Sequence, residues 1–479
     1  MVKEGYIKKE DRKKILLLTD DIRVHSGVAQ IGREMVLNTC HRYNWVQIAG
    51  AIKHPDKGKR IDMSESISKE TNVEDSNVIL YPTDGYGTPD MVRMMIREEK
   101  IDAIFLITDP RYFTWLFQME NEIRKQVPIA YLNIWDDYPA PAYNKEFYNS
   151  CDALFGISKQ TVNINELVLG EDGNTKVIKY VPHGLNDKMF FPIKEDNNEV
   201  EEFRKQLTQG RDKEFILLFN SRNIRRKSIP DALLAWRYFI DQLTPEQASK
   251  CLFALHTQPV DQNGTDLPAI IDYLFPTKEE QQTLIISNNK LSTPQMNMLY
   301  NCADGVILLS SNEGWGLSLT EALLTGTPII ANVTGGMQDQ MRFVDESGNW
   351  FKPDAEIPSN HTGRYKECGE WALPVFPTNR SLVGSVPTPY IWDDRCNAED
   401  ATEQIMALYQ MGKEERQHRG EEGRKWATGD EAGFTSEKMS NRIIEGMEEL
   451  FETWTPRKKY TFSTDEEYEP RVLKHKLLY

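Results

Sequence analysis

The chain has 479 residues, 39% hydrophobic and 10% aromatic, enough for two or three packed domains and too apolar for wholesale disorder. Its formal charge of −16 excludes a globally basic nucleic-acid binder, though not a local basic groove. Six scattered cysteines, with no CxxC and no histidine at ligand spacing, predict neither a zinc site nor a disulfide framework. No apolar run approaches the ~20 residues of a membrane helix, and the opening MVKEGYIKKEDRKK lacks a signal-peptide core. The expectation is a cytoplasmic protein without a membrane span.

Apolar runs of strand length then follow in order: ILLL (15–18), VQIAGAI (46–52), NVILY (77–81), IDAIFLI (101–107), IAYLNIW (129–135), ALFGIS (153–158) and KVIKYV (176–181). Most are separated by segments long enough for a helix, and they are apolar on both parities. That pattern predicts a parallel sheet covered on both faces. After the charged stretch 194–206 it restarts with FILLF (215–219), CLFALH (251–256), TLIIS (283–287), GVILLS (305–310) and PIIANV (328–333). The expected fold is α/β, with two Rossmann-like, doubly wound domains facing each other across a cleft. The expected bounds are 1–192 for an acceptor-side domain, 193–454 for a donor domain and 455–479 for a tail packing back on the first. Residues 345–400 read as an irregular insertion, of the kind that is often functional when so long. Helical patterns return at 399–411 and 436–454.

Two stretches carry chemistry. SRNIRRK (221–227) places Arg222, Arg225, Arg226 and Lys227 at a strand's carboxyl end, where ligands of such sheets bind. Arginine forks and lysine charge suit phosphate oxygens; a solvated basic turn is the plainer alternative. SNEGWGLSLTEALLTG (311–326) runs from a glycine loop into a helix, whose N-terminus offers free N–H groups and a positive dipole end. Glu313 and Glu321 flank that start, and a carboxylate accepts hydrogen bonds from the vicinal hydroxyls of a sugar or ribose.

Together these stretches resemble the signature of retaining glycosyltransferases of the GT-B fold, especially family GT4. The shared features are Glu-Gly-aromatic-Gly, Glu-Ala, Gly-x-Pro and Gly-Gly in 313–336, with Arg222 and Lys227 at the usual offset. VPHGLNDKMFFP (181–192) and DIRVHSGVAQIGREM (21–35) are similar to the family's domain junction and first glycine loop. The resemblance implies that Arg222 and Lys227 hold the diphosphate, Glu321 the ribose and Glu313 the transferred sugar. Catalysis falls to Glu313, Arg222 and Lys227, while Gly27, Leu291, Gly314, Trp315, Gly316 and Leu317 complete the donor site. Ser228 stands where the family usually has Gly, and Asp339 where a Glu often appears. Asp109, Trp135, Asp136 and Asp137, which follow N-terminal strands, are expected on the acceptor side.

The implied reaction moves a sugar from a nucleotide-sugar, expected to be a UDP-sugar, with retention and without a metal or other cofactor. The adjacent Asp pairs are not the spaced D-x-D of metal-dependent transferases. The N-terminal stretch also resembles glycosyltransferases of tailed phages, some of which decorate hydroxymethylated pyrimidines. Modified DNA in a host cytoplasm is therefore one expected acceptor, with basic 52–60 and 455–460 as its contacts. A polysaccharide, lipid or small molecule is the alternative, and a non-catalytic nucleotide-sugar-binding protein is the alternative of another class. The sequence carries no sign of oligomeric state.

Overall fold

The computed structural model describes residues 4–194 and 197–458. All the apolar runs named above form strands. The N-terminal sheet contains β1 (Lys13–Asp20), β2 (Tyr43–Ala51), β3 (Ile61–Asp62), β4 (Val78–Asp84), β5 (Ala103–Ile107), β6 (Ile129–Asn133), β7 (Ala153–Gly156) and β8 (Val177–Tyr180). They lie in the order β3-β4-β2-β1-β5-β6-β7-β8, parallel throughout except for the short β3. Successive residues of β1 serve different faces: Ile15 and Leu17 join one core cluster, Leu16 and Leu18 another. This two-residue alternation, buried on both sides, is why the run reads as continuously apolar.

The second sheet comprises β9 (Phe215–Asn220), β10 (Cys251–His256), β11 (Leu284–Ser287), β12 (Gly305–Leu308), β13 (Ile329–Asn332) and β14 (Ala372–Val375). Its order, β11-β10-β9-β12-β13-β14, is that of a doubly wound nucleotide-binding sheet with a switch point between β9 and β12. The loops leaving the carboxyl ends of both sheets meet in the cleft. There Asp136 Oδ1 accepts from Gly314 N at 3.1 Å, and Thr334 Oγ1 lies 2.9 Å from Asp137 Oδ2.

Two expectations need correction. The 345–400 segment is not wholly irregular, because it supplies β14 and an antiparallel hairpin, β15 (Asn379–Ser385) with β16 (Thr388–Arg395). Pro374, Gly384 and Pro389 disguised them. Proline is tolerated on edge strands, and β14 is one.

The second correction concerns the helix Ser436–Thr453, assigned from sequence to the C-terminal domain, which packs on the N-terminal one. Its buried stripe, Met439, Ile443, Met447 and Leu450, lies against the helix Gly27–Thr39 and against β7 and β8. A Cβ on Gly446 would come within 2.6 Å of the Phe155 ring. Beyond that helix, Arg457 binds Arg124 O through its backbone and Glu120 through its side chain. The expected tail otherwise lies outside the described residues. Among those described, no helix is long and apolar enough to cross a membrane.

Candidate functional site

β9 ends at Asn220, and the basic stretch turns through a short 3-10 helix, Arg225–Lys227, into the helix Ile229–Ile240. Ser228 sits at the joint with φ +50°, a left-handed conformation that glycine adopts without strain. The resemblance expects glycine there for this steric reason. β12 ends in the SNEGWG loop, and the helix Leu317–Thr325 follows, closed by Gly326 at φ +73°.

Where the two loops meet, Glu313 is 6% exposed. Its Oε2 is ion-paired with Lys227 Nζ, lies 2.8 Å from Arg226 Nη1 and accepts from Ser310 Oγ at 3.1 Å. Burial alone would raise this carboxyl, but the two cations more than offset it and hold the group at about 2. Lys227, also buried, is pushed down by desolvation and supported by Glu313. Arg226 further donates to Asn312 O at 2.8 Å, tying the two loops together.

Arg222 is placed differently. Its side chain is 59% exposed and pairs with Asp261, Nε to Oδ2 at 2.9 Å. The guanidinium in contact with Glu313 is therefore that of Arg226, which the spacing did not single out.

Glu321, on the first turns of the same buried helix, accepts from Tyr300 Oη and, at 3.3 Å, from Asn220 Nδ2. Burial raises it to about 7 despite these donors. Leu291 is half-buried against the core of the same domain. Gly27 begins an N-terminal-domain helix, capped by Ser26, that faces Leu317 across the cleft. A Cβ on Gly27 would stand 2.9 Å from Leu317 Cδ1. Gly314 N is taken by Asp136, and Gly316 O accepts from Gln340 Nε2 at 2.8 Å. The Trp315 ring belongs to the core: its Nε1 donates to Thr320 Oγ1, and it packs on Phe434 at 4.9 Å. Only its backbone borders the loop. Asp339 is buried, is raised by burial to about 6 and accepts from Lys159 N at 2.8 Å, an interdomain contact.

On the N-terminal side, Asp109, Trp135 and Asp136 line a chamber of about 460 Å³ that also exposes Arg226. Thr108, just before Asp109, has φ +112°, a strained value for a β-branched residue. Asp109 Oδ1 accepts from Arg111 Nε at 2.7 Å, and that guanidinium lies 5.8 Å from the Trp135 ring centroid. Asp137 does not line the chamber. It is fully buried, and its oxygens are occupied by Tyr138 N, Gln160 Nε2 and Thr334 Oγ1. The loop turns so that Asp136 faces the opening while Asp137 is enclosed.

Tyr300 and Asn220, partners of Glu321, had no sequence signal: Tyr300 lies in the helix Thr293–Asn301, and Asn220 is the last residue of β9. Among the described residues, no group of three or more His, Cys, Asp or Glu side chains is placed to hold a metal ion.

Residues 278–357 match the family model described as Glycosyl transferases group 1. No curated protein matches the sequence. Solved structures match over nearly the whole length. A sucrose-phosphate synthase from Thermosynechococcus elongatus is 15% identical with a TM-score of 0.63, over 92% of this chain and 100% of its own. A glycosyltransferase from Rickettsia africae gives 14% and 0.61 over 92% and 99%. HepE of Anabaena, in complex with UDP and glucose, gives 13% and 0.61 over 91% and 100%. The two facing Rossmann-like domains are thus the GT-B architecture.

Proposed function

We propose that the chain is a retaining glycosyltransferase that takes its sugar from a UDP-sugar and passes it to a hydroxyl of a saccharide or other small molecule. The observation that carries this is the buried Glu313–Lys227–Arg226 cluster at the start of a helix that also bears Glu321. Support for the nucleotide comes from HepE, seen with UDP and glucose, and support for the acceptor class from the sucrose-phosphate synthase.

In the reaction, the bond between the anomeric carbon and the β-phosphate oxygen breaks, and its electron pair stays on the phosphate. The acceptor oxygen bonds to the anomeric carbon on the same face, and its proton passes to the departing phosphate oxygen. Charge on that oxygen must be met by fixed donors. Lys227, the N–H groups at the helix start near Leu317 and, at the rim, Arg222 would supply them. Each such donor is worth ~3 kcal/mol in a preorganised site. Glu313, kept ionised by its two cations, would accept hydroxyls of the transferred sugar, and Glu321 those of the ribose.

Duplex DNA is the second acceptor considered, and the structure gives it less support. In the basic segment 52–60, Lys57 pairs with Asp84 and Lys59 with Asp56, while Arg457 pairs with Glu120. Each of those cations already lies beside a carboxylate on an exposed surface, and none lines the 460 Å³ chamber.

The test is nucleotide release from a panel of UDP-sugars, with and without saccharide acceptors and hydroxymethylated DNA, followed by determination of the product's anomeric configuration. Transfer with retention to a saccharide is expected. Absence of UDP release from every donor would overturn the assignment.

A further inference from the structure

The hairpin β15–β16 has no part in the donor chemistry, yet it is fastened to both sides of the cleft. On the N-terminal side, Trp392 N donates to Tyr138 O at 2.7 Å and Tyr143 Oη to Tyr390 O at 2.8 Å. The Tyr143 and Tyr390 rings meet edge-on at 4.8 Å, and Arg111 donates to Thr388 Oγ1. On the C-terminal side, Asp394 N donates to Ser311 O at 2.8 Å and Asn332 Nδ2 to Asp394 O at 2.7 Å. The hairpin therefore bridges the opening. One wall of the 460 Å³ chamber consists of its residues Val383, Gly384, Ser385, Thr388 and Ile391. Leu382 is not among them and is 58% exposed.

The opposite wall presents the Asp109–Arg111 pair, Asp136 and the Trp135 ring, and Arg226 leads from the chamber to Glu313. Arg111 is paired with Asp109 and Arg226 with Glu313, while Asp136 accepts from Gly314 N, so an anionic ligand would meet no free cation there. A polyhydroxylated neutral molecule matches such a surface, with hydroxyls for the paired charges. The volume falls within the ~300–1,000 Å³ of small-molecule sites, and duplex DNA could present only a flipped base to it.

Resting on the transferase assignment above, we infer that the β15–β16 hairpin is the acceptor-selecting wall of the cleft and admits neutral saccharides of one or two rings. Val383 is the residue to perturb, because it lines the chamber while being 39% exposed, so substitution leaves the core intact.

Val383→Trp, Val383→Ala and, as a control on the outer surface, Leu382→Trp would be compared with the full-length wild type. The probes are UDP binding by calorimetry and transfer from UDP-glucose to glucose, maltose and maltoheptaose. Val383→Trp is expected to keep its UDP affinity while its KM for glucose or maltose rises about tenfold or more. Val383→Ala should improve use of maltoheptaose, and Leu382→Trp should behave as wild type. Unchanged acceptor KM in Val383→Trp, or equal effects of Val383→Trp and Leu382→Trp, would overturn the inference alone. A wild type that uses hydroxymethylated DNA and no saccharide would overturn it too. A wild type that neither binds UDP nor releases it from any UDP-sugar would overturn the transferase assignment, and this inference with it.

Discussion

Replacing Asp137 by Asn should stabilise the protein above neutral pH, for a reason visible in its hydrogen bonds. Thr334 Oγ1 lies 2.9 Å from Asp137 Oδ2 and 2.9 Å from Asp394 Oδ2, yet a hydroxyl has one proton to donate. Arg380 pairs with Asp394, with Nη2 2.8 Å from Oδ2, and so compensates charge there. Asp137 faces only the neutral donors Tyr138 N and Gln160 Nε2, with Asp394, Arg380 and, beyond them, His361 as the ionisable neighbours. Burial, reinforced by Asp394, raises the Asp137 carboxyl well above the ordinary range. Asp137 therefore holds the proton and donates to Thr334, which donates to Asp394.

The sign of the pH effect follows. The folded state binds this proton more tightly than the unfolded chain. Stability from it is complete below a pH of about 4 and falls as pH rises toward the folded pKa, by about 1.4 kcal/mol per unit. Asn supplies the same donor without titrating. The stability difference between Asp137→Asn and wild type should therefore widen by about that slope with each pH unit until pH passes the folded pKa. Asp137→Ala instead strands three buried partners, at a cost on the order of 1–3 kcal/mol for each. Urea unfolding of all three proteins at intervals from pH 5 to 8 measures both effects. A difference between wild type and Asn that stays constant across this range would refute the proton assignment.

Lys227→Ala should lower kcat by about 10²–10³ in UDP release if Lys227 meets the leaving phosphate; a loss of only a few-fold would remove it from that role. Glu321, raised by burial to about 7, should cost the ligand-free protein about 3 kcal/mol between pH 4.5 and 7. Glu321→Gln should flatten that slope in urea unfolding, and an unchanged slope would place the titration elsewhere. Gly446→Ala sets a methyl 2.6–2.8 Å from the Phe155 ring and should destabilise by about 1–3 kcal/mol. It should also speed proteolysis at the helix Ser436–Thr453; an unaltered melting temperature would mean that contact is not tight.

Much of the architecture was legible because buried parallel strands are short, apolar on both faces and separated by helical segments, and every such run became a strand. What escaped followed no such rule. β14 and the hairpin hide behind prolines and polar residues, since an edge strand needs neither two apolar faces nor every N–H. The stripe of the helix Ser436–Thr453 announces a buried face but not which sheet it covers. At the site, Glu313 and Lys227 could be read because a glycine loop and a strand end restrict where they lie. Arg226 could not be told from its basic neighbours in the same turn, and Tyr300 and Asn220 could not be found because only the folded sheet brings β9 and the helix Thr293–Asn301 against Glu321. Asp136 and Asp137 show the limit of a dipeptide: the pair is evident, but which member faces the chamber depends on how the loop turns.

Among the described residues the chain passes between the two lobes twice, and both passages touch. Leu185 N bonds Phe434 O at 3.1 Å while Ser436 N bonds Leu185 O at 2.8 Å, and a Cβ on Gly184 would overlap the carbonyl of Thr435. Two strings laced side by side bend together about a shared axis but resist being wrung. A side chain at Gly184 would push the Thr435 carbonyl away and part the two crossings, loosening the lobes from each other far from the helix start at Leu317.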